Sequence, residues 1–241
     1  MKIEIILDKE KTSEEFQVGW GLSFLIDRRI LFDTGENFEY LKHNAELLGI
    51  DLKKIKKIFI SHQHWDHRGG LDGLLEINNQ VDVYICKSSS QDFKKSIKKK
   101  KANLVEVKDI LKIDERIYSS GELRANYKGE PLYEQFLIIE KDKFLVVLCG
   151  CSHPGILNIV EKISFDFKKE IIAVMGGFHL LDKEERVIRF VAEELKRKVK
   201  KVGPSHCTGY SAISYFKNIF EEDFIEIKAG KYIDIDKLLS Y

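Results

Sequence analysis

The chain has 241 residues, of which 44% are hydrophobic, so it can bury a sizeable core, and we expect residues 1–241 to form a single domain. Forty Lys and Arg residues against 39 Asp and Glu residues give a formal net charge of +1, which argues against a nucleic-acid partner. No apolar stretch approaches the ~20 residues of a membrane-spanning helix, and the charged N-terminus is unlike a signal peptide. We therefore expect a cytoplasmic protein without membrane contact.

Short runs rich in β-forming residues recur along the chain and predict strands. These runs are Lys2–Leu7, Leu22–Ile26, Arg29–Phe32, Lys57–Ile60, Val81–Ile85, Arg116–Ser119, Gln135–Glu140, Lys143–Cys149, Glu170–Met175, Lys200–Gly203, Phe224–Ile227 and Lys231–Ile235. Apolar residues four apart predict a helix over Glu185–Lys200, and a similar pattern predicts another after Pro154. Strands before and after each helix favour an α/β fold in which two sheets pack face to face with helices outside, an αββα sandwich.

The most informative segment is His62-x-His64-x-Asp66-His67, which follows a strand rich in Ile and Phe and precedes a glycine pair. Side chains two apart in extended backbone point the same way, so His62 and His64 can bind one ion. Asp66 and His67 lie where the chain turns into a helix beginning near Leu71, and they can point at a second, adjacent ion. Imidazole and carboxylate ligands suit transition metals more than calcium. The sequence predicts two divalent metal ions, zinc first, with manganese, iron or magnesium as alternatives.

Three other histidines stand beside glycines at the ends of apolar strands: His153 in LCGCSHPG, His179 in GGFHL and His206 in PSHCTG. Loops at strand ends are where a chain gathers its functional residues, and glycine lets the backbone approach a ligand closely. We expect His153 and His206 to complete the metal coordination. For His179, the roles of ligand, acid/base group and hydrogen-bonding support stay open, and Asp66 and His179 are the expected catalytic residues.

The H-x-H-x-D-H motif, preceded by LFDTG at residues 31–35, resembles the metallo-β-lactamase superfamily over the whole chain. The resemblance implies a metallo-β-lactamase-like fold, a metal-dependent enzyme, and an Asp33 that orients a loop or a ligand through hydrogen bonds. Common hydrolases of this superfamily carry a bridging aspartate after a later strand, where this chain has CGCSH at residues 149–153. Glu122 and Cys151 are the alternatives for that role, although a loop carboxylate and a buried reduced thiol are the favoured interpretations.

The segments LCGCSHPGI, GGFHL and SHCTG are similar to one archaeal and bacterial subgroup, which includes a synthase that joins a pterin to an arylamine in methanopterin formation. The resemblance implies a transferase that couples a dihydropterin diphosphate to an aminobenzene ribofuranosyl phosphate. The alternative is a binuclear metal-dependent hydrolase of a small ester or phosphoester, because hydrolysis is the default chemistry at two adjacent ions.

Either function implies a small-molecule partner, and features beside the motifs favour a phosphorylated one. Helices predicted to begin at Pro154 and Thr208 would present their positive ends to a phosphate group. The candidates for substrate contact are Trp20, Trp65, Phe178 and Thr208. The sequence leaves the oligomeric state open.

Overall fold

The computed structural model describes residues 1–238, and the chain divides into two compact units. Within the described residues, unit 1 comprises 1–108 and 228–238, and unit 2 comprises Asp109–Ile227. The prediction of one domain over residues 1–241 includes residues 239–241, which lie outside the described part, and it stays a prediction.

The strands and helices of both units follow one another in chain order. The strands are β1 (Lys2–Leu7), β2 (Ser23–Ile26), β3 (Ile30–Phe32), β4 (Lys57–Phe59), β5 (Asp82–Cys86), β6 (Asn103–Val107), β7 (Leu111–Asp114), β8 (Ile117–Ser119), β9 (Leu123–Tyr127), β10 (Glu130–Glu134), β11 (Leu137–Lys141), β12 (Phe144–Cys149), β13 (Glu170–Gly177), β14 (Lys201–Ser205) and β15 (Tyr232–Asp234). The helices are α1 (Phe38–Leu47), α2 (Trp65–Arg68), α3 (Leu71–Ile77), α4 (Gln91–Lys99), α5 (Ile156–Phe167), α6 (Glu185–Lys198), α7 (Tyr210–Phe220) and α8 (Ile235–Leu238).

Unit 1 contains a mixed sheet of seven strands in the order β15-β1-β2-β3-β4-β5-β6. The pairs from β3 to β6 are parallel, and the pairs from β15 to β3 are antiparallel. Strands β2 and β3 are buried along their whole length, which explains why their sequences read as continuous apolar runs rather than alternating ones. Leu31, Ile58 and Val83 pack in a core with Leu41 of α1 and Leu74 of α3.

Unit 2 contains a mixed sheet of six strands in the order β14-β13-β12-β11-β8-β7, together with the separate hairpin of β9 and β10. Strands β12, β13 and β14 run parallel, while β11 pairs antiparallel with β12 and with β8. Helices α5 and α6 bury their apolar faces on this sheet, with Ile159 and Val191 in the same core as Val147 and Val174. Apolar spacing in both helices therefore identifies the faces that pack.

The structure corrects some of the predicted elements. Phe224–Ile227 is not a strand: Phe224 forms an isolated bridge with Val202, so its apolar pattern reflects burial beside β14 rather than a ladder. Strands β6, β7, β9 and β10 were not predicted, because charged and polar residues interrupt their apolar alternation. Within residues 1–238, no helix is long and apolar enough to cross a membrane.

Candidate metal-binding clusters

The candidate residues of unit 1 follow the carboxyl ends of two parallel strands. Asp33 comes directly after β3, and Ser61 and His62 come just after β4. The carboxyl ends of neighbouring parallel strands meet at one edge of a sheet, which is where α/β proteins bind ligands. The adjacent helix α2 then carries Asp66 and His67, so a segment of six residues supplies four polar side chains to this edge.

Asp33 organises this cluster from a fully buried position. It has a φ of +54°, a left-handed conformation that a non-glycine residue adopts at a cost. Its carboxylate accepts hydrogen bonds from the Ser61 backbone N–H at 2.7 Å, the Ser61 hydroxyl at 2.8 Å and His67 Nδ1 at 2.6 Å. Burial raises the pKa of Asp33, although the positive charge of His67 and these hydrogen bonds oppose the rise. Asp33 fixes a loop and the His67 ring, which confirms the orienting role that the resemblance implied.

The ligand atoms of unit 1 have separations that fit metal binding. His62 Nε2 lies 3.0 Å from His64 Nδ1, and Asp66 Oδ2 lies 3.6 Å from His67 Nε2. Two atoms bound to one zinc at 2.0–2.1 Å and at angles of roughly 90–110° would lie about 2.8–3.4 Å apart. The histidine pair falls inside this range and the Asp66–His67 pair lies just outside it. Asp33 forms a hydrogen bond with Nδ1 of His67, and Nε2 is therefore the ring nitrogen that can bind a metal ion.

In unit 2, the buried carboxylate of Glu134 performs the same task for His153. One oxygen of Glu134 accepts from the backbone N–H groups of Cys151 and Ser152 at 2.8 and 2.9 Å, and the other accepts from His153 N at 2.8 Å and His153 Nδ1 at 2.9 Å. Burial acts to raise the pKa of Glu134, but the hydrogen bond and charge of His153 and the backbone N–H groups more than offset it and lower that pKa. An ionised Glu134 thus holds Nδ1 of His153 and leaves Nε2 for a ligand.

Sequence reasoning missed Glu134, although a signal for it exists. Side chains two apart along a strand share a face, so Glu134 in β10 lies on the same side as Leu132. Leu132 is 6% exposed and Glu134 is fully buried. A carboxylate in register with an inward apolar residue predicts a buried, hydrogen-bonded group, because an unpartnered buried charge is costly.

His206 and Cys151 meet beyond the carboxyl ends of the parallel strands β12, β13 and β14. Cys151 Sγ lies 3.2 Å from His206 Nε2, and Cys207 Sγ lies 3.5 Å from the carbonyl oxygen of Cys151. One ligand atom from each of Cys151, His179 and Cys207 lies within 4.8 Å of the others. Burial acts to raise the pKa of Cys207, but hydrogen bonding to Cys151, the charge of His206 and hydrogen bonds to both histidines lower it.

Backbone conformation in unit 2 is strained where these side chains converge. His179 has a φ of +53° and His206 a φ of +52°, and Ser152 has a φ of +61°. Gly177 is needed at the same place, because a Cβ atom there would lie 2.4 Å from the Gly150 carbonyl oxygen and 2.6 Å from Cys207 Sγ. Such conformations cost about 1–3 kcal/mol each and persist where the surrounding structure holds them, typically at functional sites.

A cleft of about 350 Å³ lies beside His153 and His179 in unit 2. Its walls include Phe178, Lys183 and the first residues of α5. The rings of His153 and His179 have centroids 4.6 Å apart, and the Nδ1 atom of His179 is buried with no hydrogen-bond partner in residues 1–238. The first N–H groups of α5 add a positive helix end to this cleft.

Both helices predicted to follow the histidines begin two residues later than expected. α5 begins at Ile156 rather than Pro154, and α7 begins at Tyr210 rather than Thr208. In each case the preceding glycine has a positive φ, +90° at Gly155 and +80° at Gly209, which turns the chain before the helix can start. The predicted helix starts were therefore wrong by two residues, while the presence of both helices is confirmed.

The predicted substrate-contacting residues have different environments. Trp65 is 60% exposed at the start of α2, and Trp20 is half-buried with Lys9 Nζ 4.3 Å from its ring centroid. Phe178 is 2% exposed and packs against the core, although it also borders the cleft. Thr208 is buried, and its hydroxyl accepts a hydrogen bond from the Phe178 backbone N–H at 3.0 Å. Substrate contact by these four residues stays a prediction.

Comparisons with known proteins agree with this architecture. Residues 20–118 match the model of the metallo-beta-lactamase superfamily. The chain is 33% identical to 7,8-dihydropterin-6-methyl-4-(beta-D-ribofuranosyl)-aminobenzene-5'-phosphate synthase of Methanocaldococcus jannaschii, over 88% of this chain and 89% of the synthase. It is also 31% identical to an uncharacterised protein of the same organism, over 97% of this chain and all of that protein.

Among solved structures, the chain is similar to a metal-dependent hydrolase of the beta-lactamase superfamily. The two share 30% sequence identity with a TM-score of 0.82, and the match covers 98% of this chain and 99% of the hydrolase. The predicted α/β class and metallo-β-lactamase fold are thereby confirmed.

Proposed function

This chain belongs to the metallo-beta-lactamase superfamily, and from that premise we propose that it couples a dihydropterin diphosphate to an aminobenzene ribofuranosyl phosphate. The observation that carries this proposal is the 33% identity to the M. jannaschii synthase, which extends over 88% of the chain. A small phosphorylated substrate and a cytoplasmic location follow from the same proposal.

The proposed ligands of the divalent ions in unit 1 are His62, His64, Asp66 and His67, and those in unit 2 are His153 and His206. Asp33 and Glu134 support this assignment, because each carboxylate holds Nδ1 of a histidine and presents Nε2. A donor set of imidazoles and a carboxylate favours zinc, and two ions remain the predicted number. The bound ions would supply Lewis-acid stabilisation of the charge on a departing diphosphate.

The cleft beside His179 suits the rest of the substrate. The helix end of α5 and the Lys183 ammonium favour a phosphate group, and Phe178 offers an apolar wall for a flat heterocycle. In the proposed reaction the C–O bond to diphosphate breaks and a C–N bond to the arylamine forms. The proposed acceptor of the proton that the amine releases is His179, which lines this cleft.

The test is a coupling assay on metal-reconstituted protein. Hydroxymethyl-dihydropterin diphosphate and the aminobenzene ribofuranosyl phosphate are supplied together, and the coupled product and released pyrophosphate are followed. We expect metal-dependent coupling that Asp66→Ala abolishes. Asp92→Ala is the matched control, because its side chain is 96% exposed on α4 and its removal should leave the rate unchanged. Release of pyrophosphate without coupled product would contradict transfer.

Hydrolysis is the second candidate, and the 30% identity to a metal-dependent hydrolase over 98% of the chain favours it. Weak esterase activity would not decide between the two, since exposed metal sites hydrolyse esters readily. Efficient turnover of a phosphoester by a preparation that yields no coupled product would establish the hydrolase instead.

A further inference from the structure

We infer that Cys151 is a thiolate ligand of the metal that His206 binds. The inference rests on the proposed metal-dependent function. A Cys151 thiolate would add a soft sulfur donor to a ligand set otherwise made of nitrogen and oxygen atoms.

The separation of the two donor atoms fits a shared ion. Cys151 Sγ and His206 Nε2 lie 3.2 Å apart. A zinc ion with Zn–S of about 2.3 Å, Zn–N of about 2.0–2.1 Å and an angle of roughly 90–110° would place these atoms about 3.1–3.6 Å apart. Cys151 is 4% exposed and His206 is 1% exposed, so both donors are already removed from bulk water.

The backbone that carries Cys151 is held by the same carboxylate that holds His153. Glu134 Oε1 accepts the Cys151 N–H at 2.8 Å, and Glu134 Oε2 accepts from His153 Nδ1 at 2.9 Å. One buried anion thus positions two donors on the same loop. This anchoring restricts the movement of the Cys151 backbone, which suits a metal ligand because ligand geometry tolerates little displacement.

Cys149 shows what an ordinary buried thiol looks like in this chain. It lies two residues before Cys151, at the end of β12, and belongs to the hydrophobic core of unit 2 with no exposed surface. Cys151 lies past the end of the strand, among Cys207, His179 and His206. The two cysteines therefore share a segment and burial but differ in their neighbours, which makes Cys149→Ala the matched control.

A thiolate ligand changes which metals the site prefers. Sulfur donors favour zinc, cobalt, iron and cadmium over magnesium and manganese. Metal-depleted, reduced protein titrated with Co²⁺ reports directly on the donor, because a cobalt–thiolate bond adds a near-ultraviolet charge-transfer band to the visible d–d bands. We expect this band in the wild-type protein and in Cys149→Ala. It should vanish in Cys151→Ala, whose Co²⁺ affinity should fall at least tenfold.

The other possible outcomes distinguish a wrong ligand assignment from a wrong functional proposal. Wild-type d–d bands without a charge-transfer band would overturn the inference and leave the proposed function standing, and this test needs no variant to fold. Absence of Co²⁺ binding by folded wild-type protein would contradict the proposed metal dependence itself. If the charge-transfer band survives in Cys151→Ala but is lost in Cys207→Ala, the ligand is Cys207 and the inference is wrong. Cys151→Asp should restore Co²⁺ binding without the charge-transfer band.

Discussion

At the residue scale, two buried carboxylates decide how the histidines are presented. Asp33 lies 2.6 Å from His67 Nδ1, and Glu134 lies 2.9 Å from His153 Nδ1. Each bond fixes the tautomer and the orientation of its ring, and it makes the other ring nitrogen a better donor to a cation. The candidate clusters thus depend on two buried carboxylates that orient the histidine rings.

Glu134→Gln tests this dependence in unit 2. In either orientation the amide nitrogen would face N–H groups, those of His153 or those of Cys151 and Ser152, and unmatched buried donors cost about 1–3 kcal/mol. We expect a lower melting temperature and a metal affinity reduced by roughly 10–100-fold, measured by competition with a chromophoric chelator. Glu130→Gln at the exposed start of the same strand should change neither. Wild-type affinity in Glu134→Gln would show that Glu134 has no part in metal binding.

At the element scale, the parallel strands β12, β13 and β14 bring three loops together, and glycine makes the contact close enough. Gly177 at the end of β13 has no room for a side chain against Gly150 and Cys207. The glycine pair in the GGFHL segment is therefore explained by packing between neighbouring strand ends rather than by flexibility.

Gly177→Ala should destabilise the protein by about 2–4 kcal/mol, because backbone and a buried thiol must move to admit the methyl group. Metal affinity should fall as well, since Cys207 is displaced beside His206. Chemical denaturation measures the first effect and chelator competition the second. Gly129→Ala provides the comparison: a Cβ there meets nothing within 4 Å, so only its φ of +88° adds strain. Equal losses in both variants would mean that close packing at Gly177 is unimportant.

Helix α4 and strand β6 in unit 1 are linked by an ion pair whose two members differ in exposure. Lys94 Nζ lies 2.7 Å from Glu106 Oε2, with the lysine side chain 8% exposed and the glutamate 34% exposed. The hydrogen bond and charge of Lys94 lower the pKa of Glu106 below its ordinary 4.5, against a smaller opposing effect of burial. Because the pKa of Glu106 is lower in the folded chain than in the unfolded chain, the ion pair stabilises the fold at pH values above the unfolded-state pKa. This stabilisation is lost as the pH falls through the folded-state pKa.

Glu106→Gln should therefore reduce the free energy of unfolding by about 1 kcal/mol at pH ~7, and by much less once acid protonates the glutamate. Urea denaturation at neutral pH and at a pH below the folded-state pKa would measure both values. Glu76→Gln is the control, because Glu76 pairs with Lys100 in the same unit but is 67% exposed. If the free energy of unfolding differs between wild type and Glu106→Gln by the same amount at both pH values, the ionised Glu106 does not supply this stability.

At the scale of the whole molecule, each unit has its own mixed sheet, its own core and its own cluster of metal-type ligands. In both, the cluster follows the carboxyl ends of parallel strands, where short loops hold side chains on a rigid frame. Ions bound to such clusters would stabilise the folded chain, since an unfolded chain does not preserve the ligand geometry.

Removing metal should consequently lower the melting temperature. A free ion at ~100 times its dissociation constant contributes about 2.7 kcal/mol, which corresponds to roughly 5–10 °C for a chain of this size. Scanning calorimetry with and without chelator measures the shift, and re-addition of zinc should reverse it. The combined His62→Ala and His64→Ala variant should lose most of the response. A melting temperature that changes neither with chelator nor with added zinc would argue against a resident metal.

The sequence by itself determined the local part of this protein. His62, His64, Asp66 and His67 lie within six residues, so strand and helix periodicity are enough to predict that their side chains converge. Apolar spacing likewise predicts α6 and most strands of both sheets, because burial acts along one element at a time. The resemblance to the metallo-β-lactamase superfamily rested on the same motif and on the LFDTG segment at residues 31–35.

Only the tertiary structure decided which distant residues meet. Asp33 reaches His67 across 34 positions, Glu134 reaches His153 across 19, and Cys151 reaches His206 across 55. Such contacts depend on strand order and on which loops share a sheet edge, and a single sequence does not encode that order in any local pattern. Glu134 therefore went unrecognised, because it acquires its hydrogen-bonding role from a residue in a distant loop, and the sequence left Cys151 between a buried reduced thiol and a substitute for the bridging carboxylate.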